Sequence, residues 1–325
     1  MIEHAVRATA LALALIAPAT IAAERPDYPS RPIRLIVPFA PGGSVDISSR
    51  IVAVPLSEIL GQQVIVDNRA GAGGSVGATL VARATPDGHT LLAGSSGSVT
   101  ANPAVYEKLP YDPTKDFVPI SMINITPMAI ITYPGLPVNS LKDLIALARS
   151  QPGKITMASA GTGSSNHLAI ELFQTMAGVK VVHVPYKGSG AALTELVGGQ
   201  VQTMIDQIAS SIGYVRDGRV KILAVATPTR STVLPKVPTA DEAGLKGYEA
   251  ASFTGILAPA GTPKPIVDKL YAAVLKAASA PAVTEKFKDL AADPKTTTPE
   301  EFMTFIRNDI AKWKKVARGA NIKLD

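Results

Sequence analysis

The sequence predicts an α/β protein, and two patterns predict it. Short, continuously apolar runs rich in β-branched residues recur along the chain, and segments of helical apolar spacing separate them. An apolar run without alternation suits a strand covered on both faces, and strands alternating with helices build βαβ units and parallel sheets. The predicted strands are 34–39, 64–67, 90–95, 129–132, 155–160, 181–185, 201–206 and 222–226. Helical spacing covers 47–60, 76–84, 141–148, 168–176 and 191–197. The end of the chain differs, because helical segments 265–279, 282–290 and 299–317 follow one another without a strand. The last opens with Thr298, Pro299 and Glu301, a capping box with proline at the first helical position. Its Phe302, Phe305, Ile306, Ile310, Trp313, Val316 and Ala317 form one apolar stripe that has to be buried, so this tail packs back onto an earlier domain.

The chain has 325 residues, which at roughly 150 per domain suggests two domains. With 46% hydrophobic and 18% charged residues it reads as globular, not as a disordered or coiled-coil chain. Cysteine is absent, which excludes disulfides, thiolate metal sites and cysteine nucleophiles. The net charge of +6 raises nucleic acid as a partner, but one Trp and 5% aromatics give no stacking platform. Lys312, Lys314, Lys315 and Arg318 read instead as a solvated helix face. Residues 1–23 place Arg7 before an apolar run too short to span a bilayer and end on small residues, which reads as a cleaved secretory signal peptide. Pro-rich connectors lie near 103–119, 134–137, 228–238 and 259–265. If the middle segment, 126–247, is one lobe, the outer segments 24–125 and 248–325 jointly form the other, and two lobes joined by two crossings leave a cleft between them. Small-molecule sites favour such domain interfaces and the carboxyl ends of strands.

Three glycine-serine turns each follow a strand and lead into a helix: 38–46, 70–77 and 158–167. Glycine lets the backbone approach a ligand without a Cβ in the way, and the helix start offers unpaired N–H groups. A carboxylate can be held there, with Ser44, Thr162, Ser164 or Ser165 adding hydroxyls. Each turn taken alone is equally a tight loop with a serine N-cap. None is a Walker A loop or a G-x-G-x-x-G, so nucleotide binding has little support. Asp46 accepts loop N–H groups, orients bridging waters or caps the helix. Asp206, ending an apolar strand, either receives a ligand hydroxyl, amine or water or fixes the next loop. Phe39 covers an apolar ligand body or belongs to the core. His167, in the first turn after the third glycine turn, reaches the cleft or caps and packs. His89 and His183 look structural. Unpaired histidines and no H-E-x-x-H make a metal site improbable, and no cofactor is expected. Gly73 to Gly77 matches G-x-S-x-G around Ser75, yet residues 68–72 separate it from the strand that a nucleophile elbow needs.

The blocks YPSRPIRLIVPFAPGGSVD (28–46), VIVDNRAGAGGSVGA (64–78), PDGHTLL (86–92), LPYDPTKDFVPI (109–120), HVPYKGSGAALTELVGGQV (183–201) and APAGTPKPIVDKL (258–270) give the mature chain a recognisable order. In them the sequence resembles the Bug-type, or TctC-type, extracytoplasmic solute-binding proteins of tripartite tricarboxylate transporters. The resemblance implies a two-lobed, clamshell periplasmic binding protein of type II, each lobe a mixed sheet flanked by helices, with no catalytic activity. It implies a monomer that holds a small organic acid, a dicarboxylate of aliphatic or aromatic kind, and delivers it in the periplasm to the membrane subunits of the transporter. Carried over, the ligand-binding positions are Phe39, Ala40, Gly42, Gly43, Ser44, Val45 and Asp46 in the first turn, and Ala160, Thr162, Gly163, Ser164, Ser165 and His167 in the second. Ser95, Ser96 and Asp206 match cleft-facing strand ends, and Gln207 departs from an expected asparagine. A ligand sensor for a signalling partner and an exported esterase using Ser75 are the alternatives.

Overall fold

Strand β1 (Ile33–Val37) starts a sheet whose residues alternate between two apolar layers, Leu35 facing one and Ile36 the other. That double burial is why the run carries no polar alternation. The computed structural model describes residues 28–319 and 322; the signal peptide expected over 1–23 lies outside them. After β1 come α1 (Ser44–Leu60), β2 (Val64–Asn68), α2 (Ser75–Ala82), β3 (Thr90–Ser95), a π-helical turn (Ser96–Ala101) and α3 (Asn102–Val105). The long strand β4 (Phe117–Thr132) leads to α4 (Leu141–Ser150), β5 (Thr156–Ser159), α5 (Ser165–Ala177), β6 (Val182–Pro185), α6 (Ser189–Val197), β7 (Thr203–Gln207), α7 (Ile208–Arg216) and β8 (Lys221–Val225). The chain ends with β9 (Ala251–Pro259), α8 (Lys264–Ala278), α9 (Pro281–Asp289), the short β10 (Asp293–Pro294) and α10 (Pro299–Gly319).

The strands form two mixed sheets that share β4. In the first, β1 runs parallel to β2 and β3, and β9 lies antiparallel between β3 and β4. In the second, β4 is antiparallel to β7 and β8, while β5 is parallel to β6 and β7. The exchange happens within one peptide, since Pro127 pairs with Ala251 of β9 and Met128 with Gln207 of β7. A second crossing runs beside it, where Met128 N–H donates to Ala250 O and Ala226 N–H to Met128 O, at 3.0 and 2.8 Å. The result is the two-lobed α/β fold, one lobe around each sheet.

Each sheet is covered on both faces. Leu35, Leu91, Val52, Leu56, Leu270 and Phe287 pack one face of the first sheet against α1, α8 and α9. Ile36, Leu92, Phe253, Phe302 and Ile306 pack the other against α2 and α10. In the second sheet Ile130 and Ile205 face α4 and α5, and Ile131 and Met204 face α6 and α7. The capping box of α10 forms as expected, Thr298 and Glu301 exchanging bonds of 2.8 and 3.2 Å, and Phe302, Ile306, Ile310, Trp313 and Ala317 are buried. Trp313 and Ala317 reach Leu168 of α5, so the tail touches both lobes.

The structure departs from the sequence reading in three places. Strand β4 begins at Phe117, inside the segment read as a Pro-rich connector, because Pro119 is accommodated beside an irregularity of the ladder. Strand β9 is not among the strands read from the sequence, its Gly255 and Thr254 breaking the apolar run; lying antiparallel between β3 and β4, it makes the first sheet mixed, as the family resemblance implies. Helix α7 escapes detection because Ser210, Ser211 and Gly213 dilute its apolar face.

Candidate functional site

The cleft between the sheets is lined by Phe39, Gly43, Ser44, Val45 and Ser95 from one side. Ala160, Ser165, Asn166, Ser189 and Gln207 line the other. The space between these residues, open solvent included, is about 280 Å³. No lining residue is charged. The polarity comes from helix starts. Ser44 and Val45 open α1, Ser165 and Asn166 open α5, Ser189 is the first residue of α6, and Gln207 is the N-cap of α7. First-turn N–H groups have no partner within a helix, and the N-caps of α1, α6 and α7 make no side-chain cap bond. Four positive helix ends therefore converge, one from the first lobe and three from the second, and each favours an anion.

The first turn is held from behind. Asp46 accepts hydrogen bonds from Gly42 N (3.0 Å), Asn68 Nδ2 (2.9 Å) and Arg50 Nε (3.1 Å), and Asn68 Nδ2 also donates to Phe39 O. Burial alone would raise the Asp46 pKa, but the bonds from Arg50, Gly42 and Asn68 outweigh it and hold the carboxyl below its ordinary value. Asp46 thus turns its charge away from the cleft and fixes the loop that frames it. In the second lobe, Ser159 Oγ accepts Gly161 N at 3.1 Å and lies 2.6 Å from His183 Nε2. Gly163 N donates to His167 Nδ1 at 3.2 Å, and Ser164 Oγ caps α5 by accepting His167 N. The His167 and His183 rings stack 4.1 Å apart. Burial, and then the neighbouring His167 against a smaller opposing effect of Glu171, lowers the His183 pKa to about 4.

Of the positions expected from sequence, Phe39, Gly43, Ser44, Val45, Ser95, Ala160 and Ser165 meet at the cleft. Ala40 and Gly42 belong to the seam between lobes: Ala40 N–H donates to Lys187 O at 3.0 Å, and Gly42 backs onto Gly190. Thr162 lines a separate outer groove, and its carbonyl accepts the Tyr106 hydroxyl at 3.1 Å. Gly163, Ser164 and His167 shape the second turn from behind. Ser96 turns to the far side, where its Oγ accepts Phe253 N–H. Asp206, expected to face the cleft, is fully buried beneath it and accepts from Asn166 Nδ2 (2.9 Å), Ser189 Oγ (2.6 Å) and Ser210 Oγ (2.5 Å). Burial raises its pKa despite those bonds.

Asn166, Ser189 and Gln207 line the cleft and were missed, Gln207 having been noted only as a departure. A signal existed for Ser189: Lys187 to Gly190 is a fourth glycine-serine turn between a strand and a helix. The G-x-S-x-G serine, Ser75, starts α2, and among the described residues its hydroxyl meets no histidine or carboxylate. Among the described residues no group of three His, Asp or Glu side chains could hold a metal, and no helix is long and apolar enough to cross a membrane.

Residues 48–322 match the family described as tripartite tricarboxylate transporter family receptor. The chain belongs to this family. A curated relative, protein BugT of Bordetella pertussis, is 39% identical over 298 residues, covering 91% of either chain. Among solved structures of the same fold, the Rhodopseudomonas palustris protein Rpa4515 with adipate superposes with a TM-score of 0.88 at 38% identity, over 91% of this chain and 99% of that one. The R. palustris protein MatC with bound malate gives 0.86 at 37% identity, over 89% and 99%. As a family receptor with the periplasmic binding protein fold, the chain is a solute-binding protein and not an enzyme.

Proposed function

We propose that this receptor captures a small dicarboxylate between its lobes, 24–125 with 248–325 and 126–247, and delivers it in the periplasm to the membrane subunits of a tripartite tricarboxylate-type transporter. The observation that carries this reading is the convergence of uncapped helix starts from both lobes on a cleft without charged side chains. One carboxylate sits at the start of α1 and the other at the starts of α5 and α6. Each helix end contributes up to ~2 kcal/mol when partly buried, so several together hold two charges without an arginine. Adipate and malate, named for the two relatives above, are both dicarboxylic acids. Binding favours the closed state because only there does one solute touch both lobes. The protein acts as a monomer after removal of residues 1–23.

A panel of carboxylates tested by thermal shift on the mature protein checks this. A dicarboxylate at about 100 times its Kd should add ~2.7 kcal/mol of stability and raise the melting temperature by about 4–8 °C. Monocarboxylates and amino-acid cations should not match it. Ester substrates should release no product, and Ser75→Ala should leave the shift intact. A panel with no response from any dicarboxylate overturns the reading.

A further inference from the structure

The second-lobe wall carries a hydrogen-bond polarity that the helix starts do not explain. Asn166 spends both amide hydrogens on groups that accept, Ile205 O and Asp206 Oδ1, each at 2.9 Å. The carbonyl of Ile205 fixes the orientation of the amide, so Asn166 Oδ1 points the other way. The Ser189 hydroxyl hydrogen goes to Asp206 Oδ1 at 2.6 Å in preference to Gln207 Oε1 at 3.5 Å. This holds whatever the charge of Asp206, because a proton on Oδ2 would be shared with Ser210 Oγ, which has Gln207 O at 2.8 Å as its own acceptor. Among the described residues no donor reaches Ser189 Oγ or Asn166 Oδ1, and both residues line the cleft. Two acceptors therefore stand beside the donating start of α5.

A carboxylate cannot satisfy an acceptor, but a hydroxyl can. An ammonium could also donate, yet it would sit among the positive ends of α5, α6 and α7. A hydroxyl has the further capacity to accept from Ser165 Oγ, whose own lone pair takes Gln207 Nε2 at 3.2 Å. We propose that the cleft selects dicarboxylates bearing a hydroxyl on the carbon next to one carboxylate, read by Ser189 and Asn166. This rests on the carboxylate-binding reading above. Asp206 is a positioning residue: it does not line the cleft, but its Oδ1 decides which atoms of Ser189 and Asn166 donate.

The test is isothermal titration of the mature protein with two matched series, succinate, malate and aspartate, and glutarate, 2-hydroxyglutarate and 2-aminoglutarate. In whichever series binds tighter, the hydroxy acid should exceed the unsubstituted acid by about tenfold, the worth of one well-made hydrogen bond, and should exceed the amino acid as well. Ser189→Ala should reduce that ratio to about threefold or less. Asp206→Asn should preserve it, since the amide oxygen still accepts from Ser189 and Asn166 and the amide nitrogen donates to Ser210, whereas Asp206→Leu should abolish it. Equal affinity of the wild-type protein for hydroxylated and unsubstituted acids overturns the proposal without any variant. So does tighter binding of the amino acid, or an unchanged ratio in Ser189→Ala. Binding of the unsubstituted acids with no hydroxyl preference leaves the carboxylate reading standing, while silence from every acid overturns both.

Discussion

Asp46 and His183 are buried or half-buried titratable groups that shape the two turns without touching the cleft. Asp46→Ala leaves the Gly42 N–H and the Asn68 amide without their acceptor, which should cost about 2 kcal/mol in denaturant unfolding and weaken ligand binding together. Because the folded Asp46 pKa is depressed, its contribution is present above the ordinary carboxyl range and is lost only as the pH falls through that range and below. His183 acts in a different window. Between its ordinary value of 6.5 and about 4 the unfolded chain takes up a proton that the folded chain refuses, so stability falls as the pH falls through that interval. Melting temperatures measured from pH 7 to 5 should therefore decline, and His183→Gln should flatten the decline; parallel curves would remove His183 as a cause. The sequence placed Asp46 correctly as a loop acceptor among its options, because a carboxylate beside an anion site needs its own donors. It could not separate Asp206 from the cleft, since a strand end does not state which of its residues the following helices will cover.

At the level of elements, the helices that build the site were read two or three residues short. Helical spacing began at 47, 168 and 191, whereas α1, α5 and α6 start at Ser44, Ser165 and Ser189. Apolar periodicity records contact with a core, and the first turn of each of these helices contacts the cleft, so the unread residues were those at the site. The glycine turns were legible because close approach of backbones leaves few other choices. Gly190 sits in α6, where a Cβ would come within 2.1 Å of Pro41 O on the opposite lobe. Gly190→Ala should therefore leave the melting temperature of the ligand-free protein unchanged or raised, since alanine favours a helix by about 1 kcal/mol over glycine. Its dicarboxylate affinity should drop at least about tenfold, as the lobes no longer meet. Unaltered affinity would show that closure does not bring α6 against the first turn.

For the molecule as a whole, the α/β class followed from alternation of strands and helices and the two lobes from chain length, connectors and the family resemblance, whereas the sharing of β4 between sheets did not. A strand that serves two sheets looks in sequence like one apolar run with prolines at its interruptions, and only long-range pairing with β9 and β7 reveals the exchange at Pro127 and Met128. Scattering measurements should show the radius of gyration shrinking when a dicarboxylate is added, and affinity should change less than about threefold between 0.1 and 0.5 M salt, because short-range contacts with amides are screened little. A steep salt dependence would point to distant lysines and arginines as the source of attraction. The uncharged lining has an evolutionary consequence. Every residue type except proline keeps a main-chain N–H, so a grip made from these groups survives most substitutions while Ser189, Asn166 and Gln207 drift, and descendants of this chain can acquire new acids without first having to lose and rebuild the hold on the old one.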